Sequence, residues 1–193
     1  MGFHTFDPEK RTRLEDPERF RFCSREELLA YLPRETDARL LDIGSGVGFY
    51  TDELAPYFET IVAFDLQEVM HEQYQSRGVP ATVELVTGEA SVLPFADASL
   101  DGAFSTMTFH ESTTPAAVNE LARVLVPGGV FVAVDWSGAG DGVDGPPLEE
   151  RYDVEEACEV LEAGGFEIER ARERAETFSL VARRPGESHN DFT

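Results

Sequence analysis

Three glycines directly follow an apolar segment in the stretch LLDIGSGVGFY, residues 40–50. Gly44, Gly46 and Gly48 come shortly after Asp42, and they remove side chains where a backbone must turn sharply or approach a ligand closely. A strand, a glycine-rich turn and a helix together form a nucleotide pocket, because the first turn of a helix has free N–H groups. The glycine spacing alone does not say which nucleotide is bound.

Polar residues also follow the next predicted strands. Asp65 ends the second strand, where a carboxylate can accept hydrogen bonds from both hydroxyls of a ribose; the alternative is a solvated loop residue or a helix N-cap. Glu89 and the backbone of Ala90 follow the third strand and can meet an adenine edge, or cap a helix. The segment FSTMTFHE, residues 104–111, follows the fourth. In parallel sheets, ligands bind at these carboxyl ends, near the topological switch point.

The elements that must position these residues alternate along the chain. Short, nearly continuous apolar runs are typical of strands that are buried on both faces of a parallel sheet. Alternation with helices indicates right-handed crossovers and a doubly wound, Rossmann-like α/β sheet. Strands are predicted over 38–44, 60–66, 82–88, 100–109 and 130–136, and helices over 47–58, 68–78 and 115–129, the last ended by a Pro-Gly-Gly turn.

The end of the chain departs from this alternation. A helix over 153–166 is followed by FEIERAR and ETFSLVARR with only a few residues between them. So short a connection cannot contain a crossover helix, and it predicts an antiparallel C-terminal hairpin that completes a mostly parallel, seven-stranded sheet. Residues 1–36 are predicted to form an extension and a helix packed on the ligand cleft, 37–184 the α/β domain, and 185–193 a flexible tail.

The net charge of −22 is the strongest feature of the composition. A negative field repels phosphate backbones and anionic membranes, which argues against nucleic-acid and membrane partners. Lys10 is the only lysine among sixteen basic residues. This pattern indicates a halophilic, acidic protein of a salt-rich cytoplasm, where carboxylates keep the chain hydrated; the alternative is a generic acidic protein.

Cysteine and histidine usage indicates a reduced, cytoplasmic protein without a metal site. Cys23 and Cys158 are far apart, and the four histidines show no metal-ligand spacing with them. The chain has no run of 18 apolar residues, and its N-terminal stretch lacks the apolar region of a secretory signal. We therefore expect a cytoplasmic location.

Four motifs, taken together and in order, resemble those of the class I S-adenosylmethionine-dependent methyltransferases, in particular the small-molecule group often called ubiquinone/menaquinone-biosynthesis-like. The resemblance covers about residues 38–136, and the terminal helix and hairpin fit the family topology to residue 184. The dinucleotide fingerprint of oxidoreductases fits less well, because it has Gly or Ala where this chain has Phe49. The motifs are LLDIGSGVGFYTDELA, IVAFDLQ, GEASVLPFADASLDGAFST and ELARVLVPGGVFVAVDW.

The resemblance implies S-adenosyl-L-methionine as the cofactor and assigns a role to each matching residue. Asp42 and the glycine turn would hold the methionine end, and Asp65 would bind the ribose. Leu66, Glu89 and the N–H of Ala90 would contact the adenine, and Ser105 and Thr106 would line the path to the methyl group. The complete predicted cofactor set is Asp42, Gly44, Ser45, Gly46, Gly48, Asp65, Leu66, Glu89, Ala90, Ser105 and Thr106.

The resemblance also implies methyl transfer to a small-molecule acceptor by in-line displacement, which needs a base only if the acceptor must lose a proton. His110 and Glu111 are the candidate catalytic residues. Relatives often have two consecutive histidines here, and the chain departs from that pattern at Glu111, so the alternative is that both residues are polar without a catalytic role. Phe3, His4 and Phe6 would form a lid over the cleft, or a mobile terminus.

Two other classes of function remain as alternatives to the enzyme. One is a non-catalytic S-adenosylmethionine-binding module, either a sensor or a subunit, and the other is a dinucleotide-dependent oxidoreductase. No motif indicates the identity of the acceptor or the oligomeric state.

The charge predicts that stability depends on salt. At low ionic strength the excess carboxylates repel one another, and salt shortens the range of that repulsion from about 10 Å at 0.1 M to about 3 Å at 1 M. We expect the melting temperature, followed by circular dichroism, to rise from dilute buffer to molar KCl. A melting temperature that does not change would contradict the salt-adapted interpretation.

Overall fold

Seven strands form one sheet in the part of the chain that the structure, a computed structural model, describes: residues 14–186. The strands are β1 Arg39–Ile43, β2 Thr60–Asp65, β3 Val83–Thr87, β4 Leu100–Thr106, β5 Leu125–Trp136, β6 Glu167–Glu173 and β7 Thr177–Arg183. Their order across the sheet is β3-β2-β1-β4-β5-β7-β6.

Six α-helices accompany the strands in the described residues. They are α1 Arg25–Tyr31, α2 Phe49–Leu54, α3 Glu68–Arg77, α4 Phe109–Ser112, α5 Pro115–Val124 and α6 Val154–Ala163. Side chains cap several helix starts: Ser24 accepts from the N–H of Glu27 at α1, and Asp153 forms a capping box with Glu156 at α6. The first residue of α2 follows Gly48, which offers no side-chain cap.

The predicted fold class is confirmed. Strands β1 to β5 pair in parallel, while β7 pairs antiparallel with both β5 and β6. The strand order changes direction between β1 and β4. In sheets of this type a crevice opens at that point, outside the carboxyl ends of the strands.

Apolar side chains bury both faces of the sheet, as the continuous runs predict. Successive strand residues point to opposite faces, and the two core clusters follow that rule: Leu40 belongs to the cluster covered by α1 and α2, and Leu41 to the cluster covered by α5 and α6. Phe104 and Ala103 divide between the clusters in the same way. The sheet therefore lies between two helical layers.

The predicted helix over 115–129 is too long, and its Pro-Gly-Gly segment does not form a turn between helix and strand. The helix ends at Val124, and β5 begins at the next residue. Leu125 pairs with Leu100 and Val130 with Gly102, so residues 126–129 bulge out of the ladder. Backbone hydrogen bonds of 2.9 and 2.8 Å join this bulge to Arg184, a long-range contact that overrides the helical pattern.

The predicted fourth strand also ends earlier, at Thr106 instead of residue 109. Met107 has a φ of +59°, which turns the chain out of the sheet. Phe109 then opens the short helix α4 and inserts its ring into the core near Phe131 and Phe178. The sharp turn brings His110 and Glu111 back towards the carboxyl ends of the strands.

The structure describes the predicted N-terminal extension from Leu14 onwards. Asp16 caps a 3-10 helix over Pro17–Arg21, which leads into α1. The predicted lid residues Phe3, His4 and Phe6, and residues 187–193 of the predicted tail, lie outside the described residues. Within 14–186, no helix combines the length and the apolar character that a membrane crossing requires.

Gly48 is expected to be indispensable for two reasons that a control can separate. Its φ of +82° is left-handed, and a Cβ there would overlap the ring of Tyr74. Left-handed backbone costs an L-residue about 1–2 kcal/mol, and overpacking adds about 1–3 kcal/mol. Gly48→Ala should therefore lower the free energy of unfolding by about 2–5 kcal/mol in urea denaturation.

The matched control for this prediction is Gly165→Ala. Gly165 also has a positive φ, of +86°, but nothing lies within 4 Å of the position that its Cβ would take. The free energy of unfolding of this variant should fall only by the cost of left-handed backbone, about 1–2 kcal/mol. Equal losses in the two variants would mean that the contact with Tyr74 does not constrain the turn.

Candidate functional site

A cleft of about 960 Å³ opens at the carboxyl ends of β1, β2 and β4. It is walled by the glycine-rich turn, by the segments after β2, β3 and β4, and by the 3-10 helix of the N-terminal segment. Most of the predicted site residues line this one cleft: Asp42, Gly44, Ser45, Gly46, Asp65, Leu66, Glu89, Ala90, Thr106, His110 and Glu111.

The glycine-rich turn folds tightly against the end of β2. The N–H groups of Gly44 and Ser45 both donate to the carbonyl of Phe64, at 2.8 and 3.0 Å. Gly44 has a φ of +75°, and a Cβ there would overlap the side chain of Thr108. The turn therefore needs glycine both for its conformation and for its close approach to the segment after β4.

Asp65 joins the turn to the end of β2. Its carboxylate accepts from the N–H of Gly46 at 2.8 Å and from the N–H of Gln67 at 2.8 Å. Burial, opposed by these two hydrogen bonds, raises the pKa of Asp65 above its ordinary value. The residue is thus neither a solvated loop residue nor a simple N-cap. Each carboxylate oxygen keeps a lone pair for a donor in the cleft.

Asp42 is a fully buried carboxyl group at the floor of the cleft. Its Oδ2 accepts from the Thr51 hydroxyl at 2.6 Å, while its Oδ1 has no hydrogen-bond partner among the described residues. Burial raises the pKa of Asp42 to about 7, and the hydrogen bond from Thr51 only partly opposes this. A buried oxygen without a donor is costly, so Asp42 is suited to a cationic or hydrogen-bonding ligand group.

Two residues of the predicted cofactor set do not line the cleft. Gly48 packs behind the turn against Tyr74. Ser105 is buried on the other face of β4, beside a small cavity lined by Phe109 and Leu121, and its hydroxyl has no partner in the described part of the chain. Thr106, the next residue along the strand, points into the cleft, because adjacent strand residues alternate between faces.

His110 lies in a buried pair that the sequence reasoning did not find. Its Nδ1 is 2.9 and 3.0 Å from the two carboxylate oxygens of Asp135, and its backbone N–H donates to Asp135 Oδ2 at 2.6 Å. On the other side of the ring, Nε2 is 3.6 Å from Glu111 Oε1. Burial lowers the pKa of His110, but the two carboxylates outweigh it and raise the pKa to about 10.

A second buried histidine shows the opposite behaviour. His71 lies between two hydroxyls, with Nε2 3.4 Å from Ser45 Oγ and Nδ1 2.9 Å from Thr87 Oγ1. Burial lowers its pKa, and the carboxylate of Asp65 only partly opposes this. His71 is therefore neutral near pH 7, and it supports the glycine-rich turn through hydrogen bonds.

The N-terminal segment supplies a cation that the sequence reasoning also missed. The guanidinium carbon of Arg19 lies 5.3 Å from the ring centre of Phe49 and 5.4 Å from that of Tyr50. The Tyr50 hydroxyl donates to the carbonyls of Arg19 and Cys23, both at 3.1 Å, which holds the segment over the cleft. Arg19 Nε is buried without a partner in the described residues. Only long-range packing places Arg19 here, so no sequence pattern signals it.

No group of three or more histidine, cysteine, aspartate or glutamate side chains suited to a metal ion occurs within residues 14–186. Cys23 and Cys158 are both free thiols. Burial raises the pKa of the Cys23 thiol to about 12, so this cysteine is not a nucleophile.

Comparisons with known proteins agree with this geometry. A family model described as a methyltransferase domain matches residues 41–133. The solved structure of a SAM dependent methyltransferase from Aquifex aeolicus is similar to this chain with a TM-score of 0.84 and 30% identity, covering 93% of this chain and 99% of that one.

Two curated relatives are similar over shorter stretches. The biotin biosynthesis bifunctional protein BioHC of Cellvibrio japonicus is 42% identical over 105 residues, which are 53% of this chain and 21% of BioHC. The ubiquinone/menaquinone biosynthesis C-methyltransferase UbiE of Dinoroseobacter shibae is 31% identical over 137 residues, 66% of this chain and 52% of UbiE. The chain thus spans from about a fifth to about half of these relatives.

The doubly wound sheet, with a glycine-lined cleft at the point where the strand order changes direction, defines a Rossmann-like nucleotide-binding α/β protein. With the family model and the Aquifex structure, the chain belongs to the S-adenosylmethionine-dependent methyltransferases.

Because the pKa of Asp42 is raised, the free energy of unfolding should depend on pH. Its folded value of about 7 lies above the ordinary 3.8. The protonated Asp42 carboxyl group therefore contributes its full stabilisation below the pKa of the unfolded chain. This contribution is lost as the pH rises through the pKa of Asp42 in the folded chain. Across that window the wild-type chain should lose on the order of a few kcal/mol of unfolding free energy that Asp42→Asn keeps.

Urea denaturation at a series of pH values measures this difference between the two chains. Asp37→Asn removes a negative charge from an exposed position and serves as the matched control; its stability curve should run parallel to that of the wild type. If the Asp42→Asn curve were also parallel to the wild type, burial would not raise the pKa of the Asp42 carboxyl group in the folded chain.

Proposed function

We propose that the chain transfers the methyl group of S-adenosyl-L-methionine to a small-molecule acceptor by in-line displacement. The observation that carries the proposal is the unpartnered, buried Oδ1 of Asp42 at the floor of a glycine-lined cleft. An ammonium group is the donor that best satisfies such an oxygen, and the methionine end of the cofactor provides one. Arg19 also lines the cleft, and its guanidinium group is complementary to the carboxylate of the same amino acid.

The remaining predicted residues fit the adenosine end of the cofactor. The carboxylate of Asp65 is tied to the backbone and directed at the cleft, where it would accept from the ribose hydroxyls. Leu66 is half exposed at the rim, available to lie against an adenine ring. Glu89 and Ala90 line the same end and would recognise the adenine edge. Gly48 and Ser105 have no direct role in this proposal.

When bound, the cofactor supplies an electrophilic methyl group on a positively charged sulfur. The chain then has to hold an acceptor in line with that methyl group and to keep water away. His110, Glu111 and Trp136 also line the cleft and are the residues that would contact the acceptor. The proposed base role of His110 needs a neutral ring, whereas its two carboxylate neighbours favour the charged ring. We therefore assign the proposed base role to Glu111, whose carboxylate lines the same cleft.

The acceptor is proposed to be a small molecule. The names of the two curated relatives place them in the biosynthesis of biotin and of quinones, and the cleft is at the upper end of the size range of small-molecule sites. The charge of −22 opposes nucleic-acid and anionic membrane partners. We extend the proposal to a cytoplasmic protein of a salt-adapted cell, on the same charge and the scarcity of lysine.

The two alternative classes fit the site less well. For the oxidoreductase, Phe49 occupies the position of the third fingerprint glycine, and its ring packs against Phe20 with centroids 4.9 Å apart. For the non-catalytic module, a cleft of about 960 Å³ with a buried histidine–carboxylate pair beyond the cofactor end is more than nucleotide binding requires. Both alternatives give distinct experimental outcomes.

The first test is a thermal shift with three ligands. At a concentration of about 100 times Kd, a ligand adds about 2.7 kcal/mol, which raises the melting temperature of a chain of this length by about 5–10 °C. S-adenosylmethionine and S-adenosylhomocysteine should both do so, while NAD should leave the melting temperature unchanged. Equal stabilisation by NAD would favour the oxidoreductase.

The second test separates the enzyme from the module. The chain is incubated with methyl-labelled S-adenosylmethionine and the small-molecule fraction of a cell extract. Label transferred to a small molecule, with S-adenosylhomocysteine formed in equal amount, supports the enzyme. Binding without transfer, in extracts that support other methyltransferases, supports the module.

A further inference from the structure

The pair formed by His110 and Asp135 fixes both the position and the orientation of the imidazole. Asp135 is fully buried at the end of β5, and His110 is 7% exposed in α4. One carboxylate oxygen accepts from the backbone N–H of His110 and also contacts Nδ1. The other also contacts Nδ1 and accepts from the N–H of Trp136 at 2.7 Å. Asp135 thus anchors the ring and the backbone of the same residue.

This anchoring determines which ring nitrogen is available to a ligand. Because Nδ1 faces a carboxylate, it carries a hydrogen, and Nε2 is left on the side of Glu111 and the cleft. The distance of 3.6 Å between Nε2 and Glu111 Oε1 is longer than a hydrogen bond. An acceptor atom in the cleft can therefore replace Glu111 as the partner of Nε2.

The charged groups that act on the ring are Asp135 from β5 and Glu111 from α4, one carboxylate at each nitrogen. They raise the pKa of His110 to about 10 against the effect of burial. An imidazole protonated on both nitrogens has two donors and no acceptor. At neutral pH, the Nε2–H group therefore donates a hydrogen bond and cannot take a proton.

We propose that Asp135 is a positioning residue that holds His110 as an imidazolium, and that Nε2–H binds the nucleophilic atom of an oxygen acceptor, either a hydroxyl or a carboxylate. This inference rests on the proposed methyl transfer and adds the chemical class of the acceptor. An oxygen nucleophile has a second lone pair, so it can accept a hydrogen bond and still attack the methyl group. An amine nitrogen has one lone pair, which the same hydrogen bond would occupy.

The transfer balances with the residues in place. A bond forms between the acceptor oxygen and the methyl carbon while the sulfur–methyl bond breaks, and its electron pair stays on sulfur as a neutral thioether. A carboxylate acceptor loses no proton. A hydroxyl acceptor gives its proton to the Glu111 carboxylate, which lines the cleft beside Nε2, while the imidazolium stabilises the developing oxyanion.

The protonation state of His110 is tested first, by nitrogen NMR of the full chain with labelled histidine. At neutral pH both ring nitrogens of His110 should be protonated, whereas only one ring nitrogen of His71 should be. Asp135→Asn should lower the pKa of His110 by about 1–3 units, because it removes the nearest opposite charge. His71, which contacts hydroxyls instead of carboxylates, is the internal control and should not change.

A second variant keeps this test decisive if Asp135→Asn does not fold. Glu111→Gln leaves the buried pair intact and should lower the pKa of His110 by less than the loss of Asp135 does, because its carboxylate is farther from the ring. A wild-type His110 that is neutral at pH 7, or a pKa that neither variant changes, would overturn the positioning role.

The acceptor class is tested with three small probes in the presence of S-adenosylhomocysteine. Phenol and benzoate carry oxygen acceptors, and aniline is the matched amine of phenol. Phenol and benzoate should shift the Nε2 resonance of His110, and aniline should not. Equal shifts with aniline, or no shift with either oxygen probe, would contradict the oxygen class.

The same samples distinguish a failure of the inference about the acceptor from a failure of the proposed methyl transfer. Failure of S-adenosylhomocysteine to bind would contradict the proposed methyltransferase function itself. Binding of S-adenosylhomocysteine without a preference for the oxygen probes would contradict only the inference about the acceptor.

Discussion

The architecture of the site depends on the placement of two carboxyl groups, Asp42 and Asp65, in a buried position at the carboxyl ends of adjacent parallel strands. Burial of a carboxyl group without full hydrogen bonding is unfavourable, and it raises the pKa of both residues. The chain offsets part of this cost with the Thr51 hydroxyl at Asp42 and with two backbone N–H groups at Asp65. One oxygen of Asp42 stays unsatisfied within the described residues. In our proposal, a positively charged group of the ligand binds this oxygen.

The effect of its neighbours on a buried titratable group also distinguishes the two buried histidines of the described residues. His110 has carboxylates at both ring nitrogens and is held charged, while His71 has hydroxyls at both and is neutral. Environment, not residue type, therefore divides their roles: His71 supports the glycine-rich turn, and His110 faces the acceptor end in our proposal. Asp135 anchors His110 to the interior of the sheet, because β5 pairs on both sides, with β4 and β7.

Local sequence patterns predicted most of the fold and most of the residues that line the cleft. Apolar runs, glycines and short connections are local signals, and the strand pairing and hairpin that follow from them are confirmed. The errors have physical causes. Pro-Gly-Gly became a bulge because Arg184 binds its backbone. The resemblance predicts both Ser105 and Thr106 at the cleft, but adjacent strand residues alternate between faces, and only Thr106 lines it. Asp135 and Arg19 reach the cleft through long-range packing that no local pattern records.

In our proposal, the carboxylate of Asp65 binds the ribose of an adenosyl cofactor. A thermodynamic cycle tests it most directly: calorimetry of adenosine and 2′-deoxyadenosine with the wild-type chain and with Asp65→Asn. Such a cycle cancels any general effect of the substitution on the turn that Asp65 also holds. A hydrogen bond to a charged group is worth about 1.5–3 kcal/mol, so the wild-type chain should prefer adenosine by about 10- to 150-fold, and the variant should lose most of that preference. An unchanged preference in Asp65→Asn would mean that the ribose is bound elsewhere.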